Sequence, residues 1–325
     1  MKVIVIGLGS MGKRRIRLLY ERKDIQIFGI DNNPERCSEV QNKYGVKCYD
    51  SVEEVVKLEL PQCAFICTSP LSHASIISKC LQNNLHVFTE INLVSDGYEK
   101  NSALAQKRNR VLFLSSTFLY QKETLRIIEK VQAANVSKLN YIYHVGQYLP
   151  EWHPWESYHN FFIGNPRTNG CREILAIDLP WIVTAFGNIK SVHTLKSKNT
   201  DLNINYNDNY LIMLEHESGA KGVFAVDVVS RKAVRHFEVY GEDLFLTWDG
   251  RPENLINYDI IKKQDIKLLL DEKAELIEGY SDLIDESPYR DEINAFFDTI
   301  LKDKKPLWDF EKDMELLKVI DKIEA

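Results

Sequence analysis

The chain has 325 residues, 44% of them hydrophobic and 27% charged, with a net charge of −6. That length suits two domains with sizeable cores, while the acidic balance argues against a general nucleic-acid binder. No apolar run approaches the roughly 20 residues that a membrane span needs. The opening residues lack the pattern of a signal peptide. The six cysteines (Cys37, Cys48, Cys63, Cys67, Cys80 and Cys171) follow no metal-ligand spacing. A cytoplasmic protein with reduced thiols, no metal, and no nucleic-acid or membrane partner is therefore expected.

The chain opens with Met1 to Gly12, MKVIVIGLGSMG. Val3 to Ile6 form a β-branched run that suits a strand buried on both faces. Gly7, Gly9 and Gly12 follow at G-x-G-x-x-G spacing with Ser10 and Met11 between them, and Lys13 to Tyr20 reads as a helix. Gly7 permits the tight turn, Gly9 the approach of a diphosphate, and Gly12 the packing of helix on strand. N–H groups at the helix start would hold the phosphates. The next apolar run, Ile25 to Ile30, ends in Asp31, 19 residues after Gly12, where a carboxylate grips ribose hydroxyls. Asp31 repels a 2′-phosphate, so NAD is expected in preference to NADP. Arg36 nearby would soften that preference if it turned toward the site, and otherwise reads as a solvated loop charge.

Strand and helix patterns alternate to about residue 120. Glu35 to Tyr44 is helical, Val46 to Tyr49 a short strand, and Ser51 with Glu54 signals a capped helix. Cys63 to Cys67, His86 to Thr89 and Val111 to Leu114 read as strands; His73 to Asn83 and Ser95 to Asn109 read as helices. This predicts a doubly wound parallel sheet in residues 1–120. From Ser137 the rhythm changes. Lys138 to Val145, Ile189 to Lys196, Tyr210 to Glu215, Gly222 to Val229 and His236 to Tyr240 read as strands, with a helix near Ile174 to Phe186. Residues 121–325 are thus expected as an α+β domain with a mostly antiparallel sheet, closing with amphipathic helices at Arg290 to Leu301 and Phe310 to Ile323.

The order of these parts resembles the glucose–fructose oxidoreductase / inositol dehydrogenase / MocA (Gfo/Idh/MocA) family. GLGSMG with Asp31 looks like that family's nucleotide site, and CTSPLSHASI (Cys67 to Ile76) like its T-P-P-x-x-H segment. HVFTE (His86 to Glu90) looks like the strand leading into its E-K-P motif, and YRDEINAFFDTI (Tyr289 to Ile300) like its C-terminal helix, which packs back on the first domain. The resemblance implies an oxidoreductase acting on a sugar or nucleotide-sugar hydroxyl or keto group, assembled as a homodimer or homotetramer. It also implies cofactor contacts at Thr68, Ser69, His73 and Glu90.

The sequence departs from the family at its catalytic groups. Ile91 stands where the motif has its lysine and Asn92 where it has its proline. The D-x-x-x-H pair falls on Ile174 and Asp178, and Thr117 stands near a family asparagine. Two replacements offer themselves. The segment GQYLPEWHPWESYHNFF (Gly146 to Phe162) supplies Tyr148, Trp152, Trp155 and Glu156 as substrate contacts, with His153 and Glu156 as a base–carboxylate pair. Beside it, Arg172 would bind an acidic group, with Glu173 or Asp178 as the acid–base carboxyl. Glu173 has the better claim only if the helix starts at Ile174. The other readings are a sensor that binds cofactor and sugar without turnover, and a redox-neutral lyase or hydrolase using bound NAD.

Overall fold

The computed structural model describes residues 1–152, 157–268 and 285–325. The chain divides into two units, Met1–Ser116 with Glu292–Met314 and Thr117–Asp291 with Glu315–Ala325.

In the first unit β1 (Lys2–Ile6), α1 (Ser10–Tyr20), β2 (Gln26–Ile30), α2 (Pro34–Tyr44), β3 (Lys47–Tyr49) and α3 (Val52–Glu59) follow one another. Then come β4 (Cys63–Ile66), α4 (Pro70–Gln82), β5 (His86–Thr89), α5 (Tyr98–Arg108) and β6 (Leu112–Leu114). The six strands pair in parallel in the order β3-β2-β1-β4-β5-β6. Val3, Ile4 and Val5 are wholly buried, each worth about 1.5–3 kcal/mol of transfer from water. The strand order reverses at β1, so the turns after β1 and β4 open beside one crevice at the same end of the sheet.

Two helices start earlier than their patterns suggest. α1 begins at Ser10, which puts Ser10, Met11 and Gly12 in its first turn. α4 begins at Pro70, whose missing N–H costs nothing at a helix start, so His73 sits in the first turn and faces inward. Ser51 Oγ accepts the Glu54 N–H at 3.2 Å at the head of α3, while the Glu54 carboxylate accepts from Asp50 N at 3.1 Å.

The second unit holds α6 (Lys122–Ala133), β7 (Asn140–Gly146), α7 (Gly170–Phe186), β8 (Ile189–Ser197), β9 (Asn209–His216), β10 (Lys221–Asp227) and β11 (Val234–Tyr240). β12 (Phe245–Trp248), β13 (Ile256–Asp259) and β14 (Gln264–Lys267) extend the sheet to the order β14-β13-β12-β11-β7-β10-β9-β8. Neighbours are antiparallel except β7 and β10, which run parallel, Gly222 opposite Tyr141. The turn from β8 to β9, the turn from β10 to β11 and the exit of β7 therefore all lie at one end of the sheet. The start of α7 joins them there. A Cβ on Gly170 would lie 3.0 Å from Val228 and 3.2 Å from Leu149.

The last helices are α8 (Ser287–Lys302) and α9 (Phe310–Glu324). Within the first unit Phe296 of α8 sits edge-on against Phe65, Phe88 and Phe113, with ring centres 5.3, 5.7 and 5.7 Å apart.

Candidate functional site

The turn after β1 is shaped by contact. Gly7 has φ +86°, and a Cβ there would lie 2.8 Å from the Cys67 carbonyl oxygen. A Cβ on Gly12 would come within 1.9 Å of the Gly7 carbonyl oxygen, so α1 crosses β1 backbone to backbone. Gly9 differs, because its Cβ would meet only Arg36 Nη1, at 3.8 Å. The space above Gly9 is kept for something other than the protein. Gly9 also caps α1 with no side-chain acceptor, leaving the first-turn N–H groups of Ser10, Met11 and Gly12 to a ligand. A dinucleotide diphosphate fits that cradle.

Asp31 ends β2 beside it, nearly buried, with Oδ2 accepting from Leu8 N at 2.6 Å and Oδ1 from Asn33 N at 2.8 Å. Arg36 is not a bystander. Its Nη1 stands 3.7 Å from Asp31 Oδ2, over the glycine turn.

Thr68 touches Gly7 through its methyl group, and its hydroxyl accepts from Ser72 Oγ at 2.8 Å. Ser69 caps α4 without a side-chain bond. His73 is turned inward at 1% exposure. Its Nε2 meets the Thr68 carbonyl at 2.9 Å, and its Nδ1 meets Asn92 Oδ1 at 2.7 Å and Thr89 Oγ1 at 3.2 Å. Burial pushes its pKa down, which keeps the ring neutral. Glu90 faces inward too, accepting from Arg15 Nε at 2.7 Å and Arg15 Nη2 at 3.0 Å. The same guanidinium reaches Glu292 Oε2 at 2.7 Å and lies over the Phe88 ring. Thus His73 and Glu90 bear on the crevice from within, by holding the turns that line it.

In the second unit α7 begins at Gly170, four residues before Ile174, and Asn169 Oδ1 caps it by accepting from Arg172 N at 2.9 Å. Glu173 therefore lies inside the first turn. Its Oε2 is sealed from solvent with no hydrogen-bond partner among the described residues, and burial pushes its pKa up to about 8. Arg172 pairs with Asp321 at 2.7 Å and with Glu324, so its guanidinium binds the end of α9. Asp178 is fully buried. It accepts from Tyr143 Oη at 2.5 Å, from Trp181 Nε1 at 3.2 Å and from Arg235, whose plane lies over Phe118. Trp152 donates through Nε1 to the Gln147 carbonyl at 2.9 Å, and its ring packs beside Gly170. Tyr148 carries the Arg231 guanidinium 3.6 Å from its ring centre. His153, Trp155 and Glu156 lie outside the described residues.

Arg15, Tyr143, Arg231 and Arg235 were not singled out from the sequence. Arg235 did leave a signal. In VRHFEVY it shares the inward parity of Phe237 and Val239, and an arginine facing a core needs a carboxylate there.

Residues 1–116 match the model of the oxidoreductase family described as an NAD-binding Rossmann fold. This stretch is therefore similar to the NAD-binding domain of the Gfo/Idh/MocA family. Myo-inositol 2-dehydrogenase of Thermotoga maritima is 24% identical over 142 residues, a match spanning 42% of this chain and 42% of that protein. UDP-N-acetylglucosamine 3-dehydrogenase GnnA of Acidithiobacillus ferrooxidans superposes with TM-score 0.76 at 16% identity, covering 100% of this chain and 96% of that one. GenD2 from gentamicin A biosynthesis, solved with NAD, gives TM-score 0.77 at 16% identity over 99% and 92%. At such identities the two structures establish a shared fold.

Within this first unit, the residue in the place of the resembled motif's proline has a structural task. Asn92 is buried and bonds to His73. Ile91, in the place of the motif lysine, offers no proton.

Proposed function

We propose that the protein is an NAD(P)-dependent dehydrogenase acting on a hydroxyl or keto group of a sugar or nucleotide-sugar. The observation that carries this reading is the turn after β1, with the reserved space above Gly9 and with Asp31 fixed beside it. A bound dinucleotide supplies the hydride acceptor or donor. The first turn of α1 holds its diphosphate, and Asp31 holds the ribose hydroxyls and favours NAD over NADP. The relatives that act on inositol and on UDP-N-acetylglucosamine support a polyhydroxylated substrate.

The proton is assigned to Glu173. A carboxyl with a pKa near 8 holds its proton at neutral pH, so it donates to the oxygen of a carbonyl being reduced. Once deprotonated it takes the proton of an alcohol being oxidised. Arg172 and Asp178 act as supports, one holding α9 to the start of α7 and the other holding Arg235. Assembly is assigned to the outward face of the second sheet. Ile142, Leu195, Leu211, Met213, Val223, Tyr240 and Phe245 are all exposed there, in register across adjacent strands. A second copy of the chain is the occupant proposed.

A second reading is favoured by Ile91: a sensor that binds NAD(H) and sugar without turnover. The test is absorbance at the nicotinamide band with NAD or NADH and a panel of sugars and nucleotide-sugars. The dehydrogenase reading expects turnover that Glu173→Gln lowers at least 100-fold, with NADH affinity unchanged. Tight NADH binding with no turnover on any candidate supports the sensor.

A further inference from the structure

The exit of β7 and the turns β8–β9 and β10–β11 border a solvent-open cavity of about 510 Å³ lined by Tyr148, Tyr158, Thr200, Asp201, Asn203 and Arg231. That is an ordinary size for a small-molecule site. Two buried aspartates fix its walls. Asp227 accepts from Val229 N at 2.9 Å, from Ser230 N at 2.8 Å, from Ser230 Oγ at 3.0 Å and from His144 Nε2 at 2.8 Å, pinning the turn that carries Arg231. Asp208 accepts from Asn199 N at 2.6 Å, Thr200 N at 3.0 Å and Thr200 Oγ1 at 2.6 Å, pinning the opposite wall. Tyr148 N donates to the Ser230 carbonyl at 2.7 Å, so the tyrosine and the arginine move as one piece. Val228 N, bonded to the Asp208 carbonyl at 2.9 Å, joins the two walls. A site whose backbone is held this firmly loses little entropy on binding.

Arg231 is the group this scaffold presents. Its guanidinium carbon stands over Tyr148, 3.6 Å from the ring centre, while the side chain remains 73% exposed. Its carboxylate neighbour Glu151 is 3.5 Å away and itself half exposed, an ion pair of small worth that an incoming anion displaces. A planar fork held in this way suits two oxygens of a phosphate or carboxylate. Across the cavity, Asp201 and Asn203 are exposed and suited to hydroxyl groups, and Asp201 repels a ligand that is anionic at both ends.

We propose that this cavity is a subsite for a sugar carrying one anionic group, with the phosphate or carboxylate on Arg231 and hydroxyls on Asp201 and Asn203. The inference rests on the sugar-dehydrogenase reading and narrows it, because neutral cyclitols and sugars lack the group that Arg231 takes. The test is calorimetric titration of the cofactor-free full-length protein with glucose 1-phosphate, D-glucuronate and myo-inositol, with NADH titrated separately. At least one anionic probe binds, more weakly as salt is raised. Arg231→Gln weakens that binding about tenfold or more, and Arg231→Lys and Tyr148→Leu give intermediate losses. Comparison of the two anionic probes tells phosphate from carboxylate, and myo-inositol is indifferent to Arg231. The proposal is overturned if neither anionic probe binds, or if Arg231→Gln leaves their affinity unchanged. An absence of NADH binding would instead remove the dehydrogenase reading. Arg231 is exposed on a turn, so an unchanged thermal midpoint confirms that each Arg231 variant is folded.

Discussion

Burial raises the pKa of the Glu173 carboxyl at the start of α7, where its Oε2 is shut off from solvent with no partner among the described residues, so the group keeps its proton at neutral pH. The consequence for stability has a definite sign. In the unfolded chain the group ionises near 4.3, whereas in the folded protein it does so at about 8, so the unfolded state sheds the proton first as pH rises. The contribution of Glu173 to stability is therefore greatest below pH 4 and declines steadily to pH 8. Glu173→Gln removes that slope. Denaturation curves should nearly coincide at pH 4.5 and separate by pH 8, with the variant more stable by about 2 kcal/mol, a figure kept below the full shift because Glu173 is only part-buried. Coincidence at both pH values would contradict an ionisation near 8. The residue types of this site were legible in the sequence, but the direction each side chain takes was not. His73 and Glu90 were read as cofactor contacts and Arg172 and Asp178 as groups of the reaction site, and each of the four makes hydrogen bonds to the protein. Arg36, for which both a solvated place and a role at the nucleotide site were open, is 42% exposed and stands 3.7 Å from Asp31 Oδ2. A linear pattern gives the parity of a residue on its element, and the partner it meets is set by other elements far along the chain.

At the scale of elements, one arginine ties α1 to the residue that follows β5 and to α8. Arg15 is wholly buried between Glu90 and Glu292. Burial works against its charge, and the two carboxylates outweigh burial and raise its pKa. Burial likewise pushes Glu292 up against the pull of Arg15. Arg15→Met leaves two carboxylates facing each other in the core and should cost roughly 3–5 kcal/mol, read as a fall in the urea midpoint. A loss below about 1 kcal/mol would show that the cluster is open to water. The alternation of strands and helices from β1 to β6 was legible because each strand is a short buried apolar run between glycine, proline or capping residues. α6 escaped because it lacks those marks. Gln121 precedes it without a side-chain cap, and Ala134 follows it in place of a glycine. β12, β13 and β14 have four residues each, too few for alternation to stand out.

For the molecule as a whole, the class of both sheets was legible, and the parallel pairing of β7 with β10 was not. Alternation on a strand gives the face each residue takes and says nothing of its neighbour's direction. The outward face of that sheet carries the prediction for assembly. Met213→Glu, at a 58% exposed position, should convert a dimer into a monomer in sedimentation while leaving the circular dichroism unchanged. A wild-type monomer at micromolar concentration would remove the assignment. Among the described residues, no helix is long and apolar enough to cross a membrane. The central claim is that the turn after β1 holds a dinucleotide, and calorimetric titration of NADH into the wild type and into Gly9→Val tests it most directly. Since the protein itself leaves the space above Gly9 open, the variant should keep its thermal midpoint. The account predicts heat and saturation for the wild type and none for Gly9→Val. Silence from the wild type with both NADH and NADPH, or equal affinity in the two proteins, would contradict it.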